Sequence, residues 1–142
     1  MKVTFTKKSI SAELAQSLIG EAIKKAEEIG KPMVIAIVDE SGHLKAFYRM
    51  DGAALISIGV AQNKAYTAVA NAWGHATHEI YDHIQKNPAT LIGIPHISRY
   101  TIFGGGFPIK IDNEIVGGIG VSGGTAEQDM EVADAALDLL KG

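Results

Sequence analysis

Apolar positions along the chain change their period several times, and each change marks an element. Leu14, Leu18, Ala22, Ala26 and Ile29 recur at helical spacing. Ser11 can cap this helix, Glu13 lies in its first turn near the positive end of the dipole, and Gly30 with Pro32 stops it. Residues 33–38 (MVIAIV) form a short, unbroken apolar run, which predicts a strand covered on both faces. Asp39, Glu40, Ser41 and Gly42 are turn chemistry. Residues 44–50 then read as the returning strand of a hairpin, broken by Asp51 and Gly52. A long helix is predicted over residues 54–72, with Ala61, Ala65, Ala68 and Ala72 as a small-residue face that another backbone can approach closely. A second, short helix is predicted over 77–85, with Thr77 placed to cap it without a full capping box and Asn87-Pro88 as its stop. Residues 90–98 read as irregular, 100–103 as a strand and 104–108 as a loop. Residues 109–111 and 114–122 form a hairpin across Asp112-Asn113. Thr125 and Gln128 make a capping box for a last helix whose core face is Met130, Ala133, Leu137 and Leu140.

The order is α-β-β-α-α-β-β-β-α. Hairpin connections dominate, so the expected fold is α+β, a mostly antiparallel sheet with helices packed on it. A chain of 142 residues with no linker, repeat or low-complexity tract fits one domain, residues 1–142. Hydrophobic content of 46% and charged content of 20% place it among globular proteins. Net charge is −3 and no basic stripe appears, which argues against a nucleic-acid partner. There is no cysteine, so disulfides, thiolate metal sites and cysteine nucleophiles are excluded together. The first residues lack an apolar signal segment and no run is long enough to span a bilayer, so a cytoplasmic protein without a membrane partner is expected.

The stretch GGIGVSGGTAEQD, residues 117–129, holds a GxGxxG: Gly118, Gly120 and Gly123. A dinucleotide fingerprint needs a βαβ unit and an acidic residue about 20 positions further on. One helix uses nearly all the chain that remains, so no nicotinamide or flavin dinucleotide is expected. In a strand, Val116, Gly118, Gly120 and Ser122 share one side, and that side is almost bare. Interior glycine marks close approach, either by a packed helix or by a ligand. Gly123, Gly124 and Thr125, opening a helix, also offer free N–H groups to an anion such as a carboxylate.

His75, His78 and His83 cluster with Glu79 and Asp82. The string from His78 to Asp82 resembles HExxH but ends in Asp, so a zincin site is not supported. His75 and His78, with Asp82, could share a helical face as ligands to a metal or to haem iron, or simply lie on a polar, partly exposed helix. Lys64, Thr67 and Asn71 form a polar stripe, either a solvated face or the wall of a ligand pocket. Arg49 and Asp51 flank Met50 where a strand meets a helix. An arginine there could bind a carboxylate in forked geometry or pair with a neighbouring acid. Ser57, Ser98 and Ser122 lie in no nucleophile-elbow sequence.

These pieces occur in a particular order: Val38-Asp39 with Gly42; RMDGA at 49–53; AQNKAYTA at 61–68; Thr77-His78-Glu79; FGGGFP at 103–108; and VGGIGVSGG at 116–124 with Gln128-Asp129. In that order they resemble the GlcG/HbpS family, over nearly the whole chain after the first helix. The same family supplies the C-terminal domain of PduO-type corrinoid adenosyltransferases, and free-standing members are encoded beside glycolate or diol and glycerol metabolism. The resemblance implies a profilin-like α+β fold with a five-stranded antiparallel sheet, homo-oligomers (often octamers), and haem binding in several members. It makes Arg49, Asp51, Lys64, Thr67, His78, Gly104, Gly105, Gly106 and Ser122 the candidate ligand-binding residues, with His78 first among them and the candidate haem-iron ligand. The expected function is an oligomeric small-ligand-binding protein for haem or a related tetrapyrrole. The alternative is an enzyme or enzyme-accessory protein acting on a small hydroxy-acid or diol-derived metabolite. A metabolic-enzyme partner scaffolded by the oligomer is the third reading.

Overall fold

In the computed structural model, residues 1–71 and 73–141 are described. Helix α1 (Ala12–Ile29) is capped as its sequence demands. The Ser11 hydroxyl accepts the Leu14 N–H at 3.1 Å, and Gly30 closes the helix in the left-handed conformation. A hairpin of β1 (Val34–Asp39) and β2 (Leu44–Arg49) follows, then α2 (Ser57–Ala70), α3 (Thr77–Ile84) and a one-turn helix α4 (Pro88–Gly93). A second hairpin, β3 (Gly106–Ile111) and β4 (Glu114–Ser122), leads into α5 (Ala126–Leu137). The strands form one antiparallel sheet in the order β2-β1-β4-β3. Helices α1 and α5 cover one face and α2 the other. The expected α+β class therefore holds.

The sheet has four strands among the described residues, not five. The run from Tyr100 to Phe103 pairs with no strand, because side-chain hydroxyls take its backbone groups. Thr67 Oγ1 accepts the Thr101 N–H at 2.9 Å, and Thr77 Oγ1 donates to the Phe103 carbonyl at 2.7 Å. Residues 90–98, expected to be irregular, hold most of α4, which starts at Pro88, and a 3₁₀ turn at Ile94–His96. Asn87 Oδ1 receives the Ala89 and Thr90 N–H groups, and Pro88 sits in the first turn. Strand β3 begins at Gly106, inside the stretch expected to be loop. On α5 the buried face is Asp129, Val132, Ala133 and Ala136; Leu137 and Leu140 are half-buried but pack against the core as expected, and Met130 is half-buried outside it. Ala72, expected on the alanine face of α2, lies outside the described residues.

The bare side of β4 faces α2. Across the sheet, Ala36, Gly120 and Gly106 align in one row, and Val38, Gly118 and Pro108 in the next. A Cβ on Gly120 would overlap the Ala61 carbonyl and come within 2.6 Å of the Ala65 amide nitrogen. One on Gly118 would lie 2.6 Å from the Ala65 carbonyl oxygen, and one on Gly106 2.5 Å from that of Lys64. With Ala61 and Ala65 fully buried opposite them, the α2 backbone rests directly on the sheet. The glycines therefore serve helix packing.

That approach carries Lys64 into the interior. Its Nζ is 2.9 Å from Asp129 Oδ2 and donates to the Val121 carbonyl at 2.9 Å. The Phe103 ring lies 5.1 Å from the same nitrogen. Asp129 Oδ1 accepts the Gly124 N–H at 2.8 Å. Burial pushes the Lys64 ammonium down and the Asp129 carboxyl up from their ordinary values, and the attraction between them opposes both shifts. The pair thus ties α2, the end of β4 and the start of α5 at one internal point.

Gly120→Ala is expected to destabilise the protein by about 3 kcal/mol or prevent folding, since the clash is with backbone that cannot yield. Gly59→Ala, on an open face of α2 with nothing within 4 Å, is expected to stabilise by about 0.5–1 kcal/mol. Urea unfolding of both variants measures the contrast. Lys64→Met alone strands a buried carboxylate and is expected to cost about 3–5 kcal/mol. Combined with Asp129→Leu the loss should shrink, leaving mainly the orphaned Gly124 N–H at about 1–3 kcal/mol. A double variant less stable than Lys64→Met would contradict this reading of the pair.

Candidate functional site

The approach to α3 is organised by Asn71, a nearly buried side chain. Its Nδ2 donates to the Thr67 carbonyl at 2.9 Å and to the His75 carbonyl at 3.0 Å, and its Oδ1 accepts the Trp73 and His75 N–H groups at 3.1 Å each. Helix α3 then starts from Ala76. Glu79 Oε1 accepts the Ala76 N–H at 2.8 Å, so the glutamate, not Thr77, caps the helix. Thr77 is instead a buried pin, whose hydroxyl oxygen accepts the Gly106 N–H at 3.0 Å. Fixing Thr77 inward leaves His78, the next residue, exposed and turned over Phe107, with ring centroids 5.5 Å apart.

His78 stands at the edge of an open cleft of about 470 Å³ between α3, β3 and the end of α5. Phe107, Pro108, Leu137 and Leu140 give it apolar walls, and its rim carries Lys110, Lys141, which also pairs with Asp138 at 2.9 Å, and one acid, Glu79. That volume lies within the usual range for small-ligand pockets. An imidazole beside apolar walls can coordinate iron or move a proton, and the lysines can meet an anionic substituent.

The structure separates the expected site residues into three places. Lys64, Thr67, Gly104, Gly105, Gly106 and Ser122 belong to the internal frame. The polar stripe expected to be a solvated face or a pocket wall is buried at Lys64, Thr67 and Asn71. The Thr67 hydroxyl is engaged with the Arg99 carbonyl and the Thr101 N–H, and Ser122 Oγ donates to Ser57 Oγ at 3.1 Å. Gly105 has φ +128°, and a Cβ there would press on the Val121 carbonyl and on Lys64 Nζ. The glycine loop is thus packed shut over the ion pair. Arg49 and Asp51 are exposed at the end of β2, the edge strand opposite β3. Only His78 opens on the cleft.

Nor do the histidines form one ligand set. His75 packs with His83, ring centroids 4.9 Å apart, and Trp73 lies 4.5 Å from the His83 ring. His78 lies instead against Phe107. Among the described residues no group of three or more metal-ligating side chains converges. The free N–H groups expected at the start of α5 are taken by the protein itself. Asp129 holds the Gly124 N–H, while Thr125 Oγ1 accepts from Gln128 and Gln128 Oε1 from Thr125. The cleft walls went unread in the sequence. Phe107 and Pro108 fall in an expected loop, and Leu137 and Leu140, expected in the core, pack against it while also bordering the cleft.

No helix among the described residues is long and apolar enough to cross a membrane. Comparison with known proteins gives a consistent neighbourhood. Over 132 residues the chain is 40% identical to an uncharacterised 15.0 kDa protein of the dhaT–dhaS intergenic region of Citrobacter freundii, covering 92% of this chain and 91% of that one. It is 39% identical over 131 residues to the corrinoid adenosyltransferase PduO of the same organism, covering 91% of this chain but 38% of that longer protein. A solved PduOC–haem complex superposes with a TM-score of 0.84 at 34% identity, covering 94% of this chain and 96% of that one. The model of the family described as haem degrading protein HbpS-like matches residues 10–138, and the chain belongs to that family.

Proposed function

We propose that this protein binds haem or a related tetrapyrrole in the cleft beside His78. The observation that carries the reading is one exposed imidazole at the edge of an apolar cleft with lysines on its rim. That combination suits the three parts of the ligand. His78 would face the iron, Phe107, Pro108, Leu137 and Leu140 the ring, and Lys110 and Lys141 the propionates. A relative of the same fold forms a complex with haem, which supports the choice of ligand. Bound haem would supply redox-active iron. The chain's own part is to hold the macrocycle and to present the imidazole.

The same reading includes a homo-oligomer, with eight subunits as the working number, and a place beside glycolate, diol or glycerol metabolism. The match to a corrinoid adenosyltransferase supports that setting as far as corrinoid chemistry. An enzyme acting on a small hydroxy-acid draws less support, because Asp129 already fills the helix start that would have received a carboxylate.

Titration of the purified protein with haemin is expected to give a saturable shift of the Soret band. His78→Ala should weaken binding roughly tenfold or more, as loss of a metal-orienting group does. Lys64→Met, scored on protein that remains folded, should leave the band position unchanged because Lys64 does not reach the cleft. A preparation in which the wild type gives no saturable shift would contradict the haem reading and favour the small-metabolite one.

A further inference from the structure

Residues 1–9 are all exposed, although they include Met1, Val3 and Phe5. Val3 is 84% exposed and Phe5 72%, more than any other aromatic side chain among the described residues. They alternate with Lys2, Thr4 and Thr6 in a segment that belongs to no helix or strand. Alternation of apolar and polar positions is the pattern of a chain with one side covered, yet nothing in its own fold covers it.

The root of this arm is fixed. Ile10 N–H donates to the Val116 carbonyl at 3.0 Å, Lys7 Nζ lies 2.9 Å from Glu40, and Lys8 Nζ lies 3.9 Å from Asp112. These contacts tie it to the β1–β2 turn and to the β3–β4 hairpin. Residues 1–6 beyond the root can reach about 20 Å.

We propose that the arm docks on a second copy of this chain, in the cleft between α5 and Phe107. This cleft, about 310 Å³, has Met130 and Phe107 as apolar surface, with Glu127, Glu131 and Asp134 around it. Charge selects it over the alternatives. Beyond its root the arm carries Lys2 and no carboxylate, Lys7 and Lys8 being already paired within the chain. Of the three acids, only Glu131 has a cation of its own chain within 4.0 Å, Lys25 at 3.5 Å. The cleft on the other side of His78 presents two cations, Lys110 and the Asp138-paired Lys141, against one acid, Glu79. The free edge of β2 exposes Leu44, Phe47 and Tyr48 but carries Lys45 and Arg49 and no acid. Like charge disfavours the arm at both places. In the acidic cleft Phe5 meets Met130 and Phe107, a sulfur and an aromatic surface, while Lys2 meets the carboxylates. His78 borders this cleft as well as the other one, so a docked arm completes the surroundings of the imidazole with residues from another copy. The inference rests on the homo-oligomer part of the reading above and on nothing about haem.

The chain has no cysteine, so single introduced thiols report contact directly. Val3→Cys protein is mixed with Glu127→Cys protein without haem, oxidised mildly, and the linked peptides are identified by mass spectrometry. The expected result is a 3–127 disulfide between copies that forms faster than links from Val3→Cys to Lys45→Cys or Lys110→Cys proteins, and that slows in 1 M salt. Absence of the 3–127 link in protein that sedimentation velocity shows to be oligomeric, or equal linking to position 45 or 110, would overturn the proposal, whereas a monomer in sedimentation would overturn the oligomer reading itself. Since no haem is present, the outcome is independent of whether the protein binds it.

Discussion

The architecture depends on one close approach, the backbone of α2 lying directly on the sheet. Side chains are missing on one side of the contact and minimal on the other. Gly106, Gly118 and Gly120 leave the sheet bare, and Ala61 and Ala65 present methyl groups. Interiors of proteins are packed as densely as crystals, so a single methyl group in such a place has nowhere to go. The approach also dictates what else the helix must do. A helix that sinks this far also buries the flanks of its contact face, and Lys64, Thr67 and Asn71 are carried inside with it while Gly59 and Ala70 stay exposed.

Each of those polar residues is answered, and the answers position the rest of the molecule. No buried side-chain nitrogen or oxygen among the described residues lacks a partner. Lys64 holds Asp129 and so sets the start of α5, whose far end supplies Leu137 to the cleft. Thr67 holds the backbone of residues 99–101, and Asn71 shapes the turn into α3. Thr77 joins α3 to β3. A buried ion pair is weak evidence of net stability, because desolvation offsets much of the attraction. Here its effect is positional. It selects one placement of α5 relative to α2, while Thr77, pinned inward on α3, leaves His78 turned outward.

Much of this frame was legible in the sequence where the signal is local. Ser11 and Gly30 bound α1, Thr125 with Gln128 marks the start of α5, and the alternation in β4 alone reveals the bare glycine face. The failures share a cause, which is that the deciding partner lies far along the chain. Lys64 reads as a surface residue unless one knows of Asp129, 65 positions later. Tyr100 to Phe103 has the composition of a strand, but hydroxyls of Thr67 and Thr77 capture its backbone first. The burial of Asp129 also turns α5, so that Val132 and Ala136 face the core and Leu137 and Leu140 border the cleft. His78 was legible as chemistry through the Thr-His-Glu piece, but its setting was not, since Phe107 and the end of α5 meet it only through tertiary packing.

Native-state amide hydrogen exchange of α2 tests the central claim most directly. If the helix backbone is sealed against the sheet, the amides of Lys64, Ala65 and Ala68 should open only with global unfolding, sharing its denaturant dependence and matching the protection of Gly120 in β4. Exchange of those α2 amides through low-energy local opening, while β4 stays protected, would contradict the account.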